Sequence, residues 1–229
     1  MPLEVFITEN DIKSYIPELS KMLWSGQADY SAQKSRAVEH VCQMLKDGGH
    51  NTAEVMPRFI IRQSGELIEI KELREAEYED LIQRERWVLK PVLFTPGTTA
   101  AIRIEGSYDK QTWQTAAAIT LDTDTVLTGI LPSIFRYYRA ATNISSGALD
   151  FSMYLVDTGI EKLIIYKWLE LILLDKYTDE NDMYYLKMKY FRKEFDELAG
   201  SIRIFTDSDN DSRAGRDEFT KPGSIKMLK

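Results

Sequence analysis

"IEGSYDKQTW", residues 104–113, decides how this chain is read. Ile104 and Glu105 end a run of β-forming residues, Gly106, Ser107 and Asp109 are turn formers, and a large aromatic, Trp113, follows. A strand, a tight turn and an aromatic anchor are the punctuation of a small β-sandwich. The flanking sequence on either side carries helical signals, so a β-module is expected in the middle of a helical frame.

Working outward, the segments "RWVLKPVLF", "AAIRIEG", "AAAITL", "IFRYYRAAT" and "ALDFSMYL" alternate or are rich in β-formers, and "TPGT", "SYDKQ" and "NISSG" separate them. Strands of that length between such turns predict an antiparallel sandwich over residues 87–157. Before it, "RFIIRQSGELIEI" reads as two short strands around Ser64-Gly65, and the charged stretch "KELREAEYEDLIQRER" as a helix. These are assigned with the N-terminal helices to a frame of residues 1–86 and 158–200, and residues 201–229 to an extended polar tail. The fold class is therefore α+β: a helical domain of about four main helices with an inserted sandwich.

The helices announce themselves by period and caps. Thr8 precedes "ENDIKSYIPEL" with Asp11 in the capping-box position, and Ile12, Tyr15, Ile16 and Leu19 recur at helical spacing until Pro17 interrupts. In "AQKSRAVEHVCQMLKDGG", Val38, Val41, Cys42 and Leu45 form one stripe, and Gly48-Gly49 supplies a left-handed stop. Residues 160–174 are apolar on nearly every side through Leu163, Ile164, Ile165, Trp168, Leu169, Leu171, Ile172 and Leu173. A surface helix needs a single stripe, so this one is expected to require cover from several directions, by its own domain or by another subunit. "YTDEND" then turns into a last helix, with Tyr184, Met188, Phe191, Phe195 and Leu198 on one face.

Composition narrows the function classes. Among 229 residues the net charge is −7, which opposes sequence-independent gripping of nucleic acid but not free passage of DNA. The single cysteine, Cys42, allows no internal disulfide and suits a reducing compartment. The opening "MPLEVFITEN" has neither a basic region nor a long apolar run, so no secretory signal is expected. The apolar stretch near residue 165 is too short and too charged to span a bilayer.

Signatures of catalysis are scarce. His40 and His50 have no close Cys or carboxylate partners in metal-ligand spacing, and Cys42 sits on an apolar stripe with no base beside it in sequence. No phosphate-loop, dinucleotide or nucleophile-elbow motif occurs. No cofactor, catalytic residue or enzyme activity is expected. Asp207, Asp209, Asp211 and Glu218 occupy positions one, three, five and twelve of a calcium loop, but Ser212 stands where the sharp turn needs glycine and Ala214 where a larger apolar residue belongs. A solvated acidic loop accounts for them better than calcium. Trp113 with Phe135, Tyr137 and Tyr138 could present a sugar-stacking face, and Ser107, Asp109 and Trp113 follow a turn pattern of discoidin-like sandwiches; the plainer reading packs those rings in the core. Arg136 and Arg139 are too few for a nucleic-acid site.

Two stretches carry a resemblance. "FITENDIKSYIPEL" is similar to the "I-T-x-x-E-L-K-x-Y-L" opening of tailed-phage head–tail connector proteins. "LIIYKWLELILLDKYTDENDMYYLKMKYFRKEFDELAG", followed by "DSDND", resembles that family's second helix pair and acidic tail. The likeness spans residues 5–47 and 158–211; residues 57–158 depart from compact members and would be an insertion. It implies a virion protein at the head–tail junction, made in the host cytoplasm, with a crAss-like phage of gut bacteria as its source. It implies a ring of about a dozen copies beneath the portal, with a further tail or ring protein below, continuing the DNA channel without binding DNA specifically or touching a membrane. On that reading Ile164, Trp168, Leu171, Ile172, Tyr184, Met188, Phe191 and Phe219 form the subunit or portal interface. The alternative is a glycan-binding sandwich on a helical stalk.

Overall fold

The structure, a computed structural model, describes residues 6–23, 26–50, 52, 59–64, 70–72, 85–130, 135–205 and 219–220. The chain divides into two compact units, one formed by Met1–Val55, Gly159–Ile204 and Thr220–Lys229, the other by Met56–Thr158 and Phe205–Phe219. The first is helical and the second is built from antiparallel sheets, so the α+β class holds.

In the helical unit, α1 spans Glu9–Lys13 and opens on Thr8, whose amide and hydroxyl both donate to the Asp11 carboxylate, at 2.6 and 2.8 Å. It ends ahead of Pro17, since the residue before a proline is pushed out of the helical region. A 3-10 turn, Leu19–Met22, follows. Helix α2, Ser31–Asp47, starts where the Asp29 carboxylate accepts from both the amide and the hydroxyl of Ser31. It stops at Gly49, whose φ of +79° lets the His50 amide reach back to the Leu45 carbonyl at 2.9 Å and satisfy an end carbonyl.

Helix α3 covers Thr158–Leu174 and α4 covers Met183–Ser201, the latter capped by Asp182, which accepts from the Tyr184 amide. Of the two sources of cover expected for α3, its own domain supplies it for most of its apolar residues, and a neighbouring subunit is not needed for them. Ile160, Leu163, Ile164, Trp168, Leu169, Ile172 and Leu173 are all buried within this one chain. The Trp168 indole N–H donates to the Tyr30 carbonyl at 3.1 Å, Tyr166 meets Tyr15 edge-on at 5.8 Å between ring centres, and the Gln33 amide donates to the Asp175 carboxylate just past the end of α3 at 2.9 Å. An all-round apolar helix is what a helix packed on several sides inside its own domain also looks like.

The β unit holds two four-stranded antiparallel sheets. One is ordered β1-β8-β3-β6 from β1 (Phe59–Ser64), β8 (Leu149–Asp157), β3 (Glu85–Phe94) and β6 (Leu127–Ile130). The other is ordered β2-β7-β4-β5 from β2 (Ile70–Glu72), β7 (Tyr137–Ser146), β4 (Thr99–Ser107) and β5 (Gln114–Leu121). Trp87, Leu89, Phe151 and Met153 from the first sheet pack against Ile102, Ile104, Tyr138 and Ala140 from the second. The expected sandwich is present, but its border moves: β1 pairs with β8 and β2 with β7, so the module begins near Met56 rather than at Trp87. Lys71 and Glu72, and Glu85 and Arg86, lie in strands rather than in the expected charged helix, because pairing with β7 and β8 overrides helical composition. The middle of that stretch lies outside the described residues. Two further two-residue strands, β9 (Ile204–Phe205) and β10 (Phe219–Thr220), pair with each other.

Candidate functional site

The helical unit carries an apolar groove of about 370 Å³ lined by Tyr15, Ile16, Met183, Leu186, Lys187, Tyr190 and Phe191. Its floor is the buried pair Ile16 and Phe191. Its walls are exposed: Met183 at 62%, Leu186 at 60%, Tyr190 at 55% and Tyr15 at 39%. Rings hold the walls in place, with Tyr15 and Tyr190 edge-on to Phe191 at 6.2 and 5.2 Å and Tyr166 beside it at 6.1 Å. Burial, with Tyr15 close by, raises the phenol of Tyr166, which packs beside Phe191, to about 12.

Two apolar stripes explain why α4 makes such a surface. Tyr184, Met188, Phe191 and Phe195 step by four, three and four and face inward; Met188, Phe191 and Phe195 are buried and Tyr184 is half-buried. Met183, Leu186 and Tyr190 step by three and four alongside and face solvent. Sequence reading placed Tyr184, Met188 and Phe191 of the first stripe at the interface and missed the second stripe, whose signal was present as a parallel i, i+3, i+7 pattern.

The other expected interface residues divide as follows. Ile164, Trp168 and Ile172 are core residues of their own unit and unavailable to a partner. Leu171 is half-buried. Phe191, from the groove floor, is the one that reaches the surface site. Phe219 lies in β10, its side chain outside the described residues. Next to the core, the Glu170 carboxylate is 2% exposed and accepts from Lys167 at 2.9 Å and from Arg192 at 2.7 Å, which makes a charge tolerable inside the helical packing.

On the β unit, the stretch 104–113 forms the expected turn. The Ser107 hydroxyl accepts from the Lys110 amide, while the Asp109 carboxylate accepts from the Gln111 and Thr112 amides, each at 2.8 Å. Those amides, Thr112 first, hold the Asp109 carboxyl below its ordinary value. Lys110 takes a φ of +63°, outside the usual range of a lysine. Trp113 is half-buried and outside the core cluster: the Arg139 guanidinium stacks over it at 4.2 Å while donating to Glu105 at 2.8 Å. Phe135 and Tyr138 are core residues, and Tyr137 lies beneath Lys110 and Arg136 at 4.5 and 5.2 Å. The rings proposed as a sugar platform are thus packed inside or capped by cations.

His40 packs with its ring tilted against Phe195 at 5.7 Å, and burial followed by the Lys167 charge lowers its pKa. His50 is buried beside the end of α2. Burial pushes the Cys42 thiol up, away from the thiolate a nucleophile needs. No group of three or more metal-binding side chains occurs among the described residues; Asp207, Asp209, Asp211 and Glu218 fall outside them. Among the described residues no helix is long and apolar enough to cross a membrane.

No protein-family model matches the chain, and no curated protein matches it. Among solved structures, one described as the crystal structure of PirA is similar over 43% of this chain and 93% of its own, with 13% identity and a TM-score of 0.28, too low to carry an argument about fold or function.

Proposed function

We propose that this chain is a structural, non-catalytic assembly protein: a head–tail adaptor that forms a ring beneath a portal and continues the channel through which DNA passes. The observation that carries the reading is the exposed wall of the α1–α4 groove, Met183, Leu186 and Tyr190 beside Tyr15. Exposed apolar residues gathered around one groove, rather than scattered singly, are typical of a docking surface. The groove lies within the segments whose sequence resembles connector proteins. The apolarity of α3 lends nothing, since the chain uses it internally. The net charge of −7 suits a channel that repels phosphate and lets DNA slide.

Leu186→Asp tests this directly. The side chain is exposed, so the fold should survive, as judged by circular dichroism and melting. The wild-type chain mixed with the portal protein of its own virion should give portal-capping rings in negative stain, and Leu186→Asp should not. Rings from the variant equal to wild type, or no rings from the wild type with its portal, would overturn the assignment.

A further inference from the structure

The two sheets of the β unit have four outer strands among the described residues: β1 and β6 on one, β2 and β5 on the other. An outer strand offers unpaired backbone amides and carbonyls to any other strand, and proteins protect such edges with brevity, charge, proline or bulges. Three of the four follow that rule. Strand β2 has three residues, two of them Lys71 and Glu72; β6 has four; β1 carries Arg62. Strand β5 has eight residues, "QTAAAITL", with neither charge nor proline. Among the described residues its one protection is a register shift between Ile104 and Glu105 of β4, which skips Ala116 in the β4 pairing and makes Ala117–Leu121 the regular part of the edge.

Within that regular part the sandwich core is covered least at Ala117 and Ile119, while Leu121 at its end is fully buried. Ile102 and Ile104 on β4 are fully buried, whereas their β5 partners Ile119 and Ala117 are only half-buried, although both pack on the core cluster. The lip needs one more strand to close it. We propose that the occupant is β5 of a second copy, paired antiparallel about a two-fold axis at Ile119. Directly opposed residues of an antiparallel pair share a face. A dyad at Ile119 therefore sets Ile119 against its own copy and Ala117 against Leu121 of the partner, large against small, all on the core side. Thr120 meets the partner's Ala118 on the outer side. The uncharged edge has nothing to repel its copy. Neighbours in a closed ring are related by one rotation axis and meet through different surfaces, so this pair belongs to the chain outside the ring and is independent of the groove's role.

Sedimentation velocity of the full chain, without portal, over a hundredfold range of concentration tests the pairing. Wild type should move from monomer toward dimer. Ile119→Lys and Ile119→Glu should each stay monomeric, because like charges meet at the dyad, and an equimolar mixture of the two should restore the dimer. Leu186→Asp should dimerise as wild type does. A wild type that is monomeric throughout overturns the proposal. So does a dimer that survives Ile119→Lys, or a mixture that stays monomeric although both variants melt cooperatively. Because Leu186→Asp interrupts only ring formation, failure of this pairing and failure of the adaptor role are read separately.

Discussion

The Trp168 indole N–H donates to the backbone carbonyl of Tyr30 at 3.1 Å, with both residues buried. The bond joins the middle of α3 to the entry of α2. Tyr30 in turn donates its hydroxyl to the Leu19 carbonyl at 2.8 Å, so one indole secures α2 and the 3-10 turn together. Lys34 closes the same corner: it lies over the Trp168 ring at 5.7 Å and donates to the Ile7 carbonyl.

Trp168→Phe should therefore destabilise the helical unit beyond the loss of ring area. It removes one of the two hydrogen bonds to the Tyr30 carbonyl, which keeps the Lys34 amide at 3.0 Å, at a cost of about 0.5–1.5 kcal/mol, and leaves unfilled volume besides. Urea unfolding followed by circular dichroism measures it. Trp168→Asp should unfold the unit outright, so lost assembly in that variant would report folding and not an interface. A Trp168→Phe midpoint equal to wild type would show that the bond contributes nothing.

In the β unit, Gly129 lies directly across from Trp87, and a Cβ at Gly129 would come within 2.5 Å of the indole. Trp87 is 7% exposed and has little room to yield. Gly129→Ala should cost about 1–3 kcal/mol by overpacking, read as a lowered urea midpoint with tryptophan fluorescence. A Cβ at Gly200 on α4 would meet nothing within 4 Å, so Gly200→Ala should be neutral or stabilising by up to about 1 kcal/mol. Equal effects at the two glycines would contradict the close approach at Trp87.

Alkaline stability should respond to two tyrosines. Burial above all, with Glu9 and Tyr184 adding, raises Tyr30 to about 12, and Tyr166 is raised to about 12 in the same way. Folding thus favours the neutral phenols. Their contribution is fully present below the ordinary pKa of 10.0 and is lost as pH rises from there toward 12. Phenolate absorbance should show late-titrating tyrosines in the native protein, and Tyr166→Phe should lose less stability than wild type across that interval. Identical losses would remove Tyr166 from the effect.

Much of the architecture was legible in the residues because it rests on local rules. Thr8 with Asp11, the Gly48-Gly49 stop and the Ser107–Asp109 turn are satisfied by neighbours a few positions away, so sequence alone placed them. The alternating segments from Trp87 onward fixed the sandwich for the same reason. The strands at 59–64 and 70–72 were legible as strands, but not as members of the sandwich, since their partners in β8 and β7 lie far along the chain.

The candidate site was legible only in part. Sequence established that α3 and α4 hold more apolar residues than a single stripe needs, and that Cys42, His40 and His50 have no catalytic company in the chain order. Which of those apolar residues face inward was decided by tertiary packing. Tyr30 and Tyr15, at the ends of other helices, and Arg192 on α4 reach α3 and consume its surface, while Met183, Leu186 and Tyr190 are left outside. Periodicity gives a helix its faces; only the arrangement of its neighbours determines which face is covered, because burial is a property of the packed assembly of helices and not of any one of them.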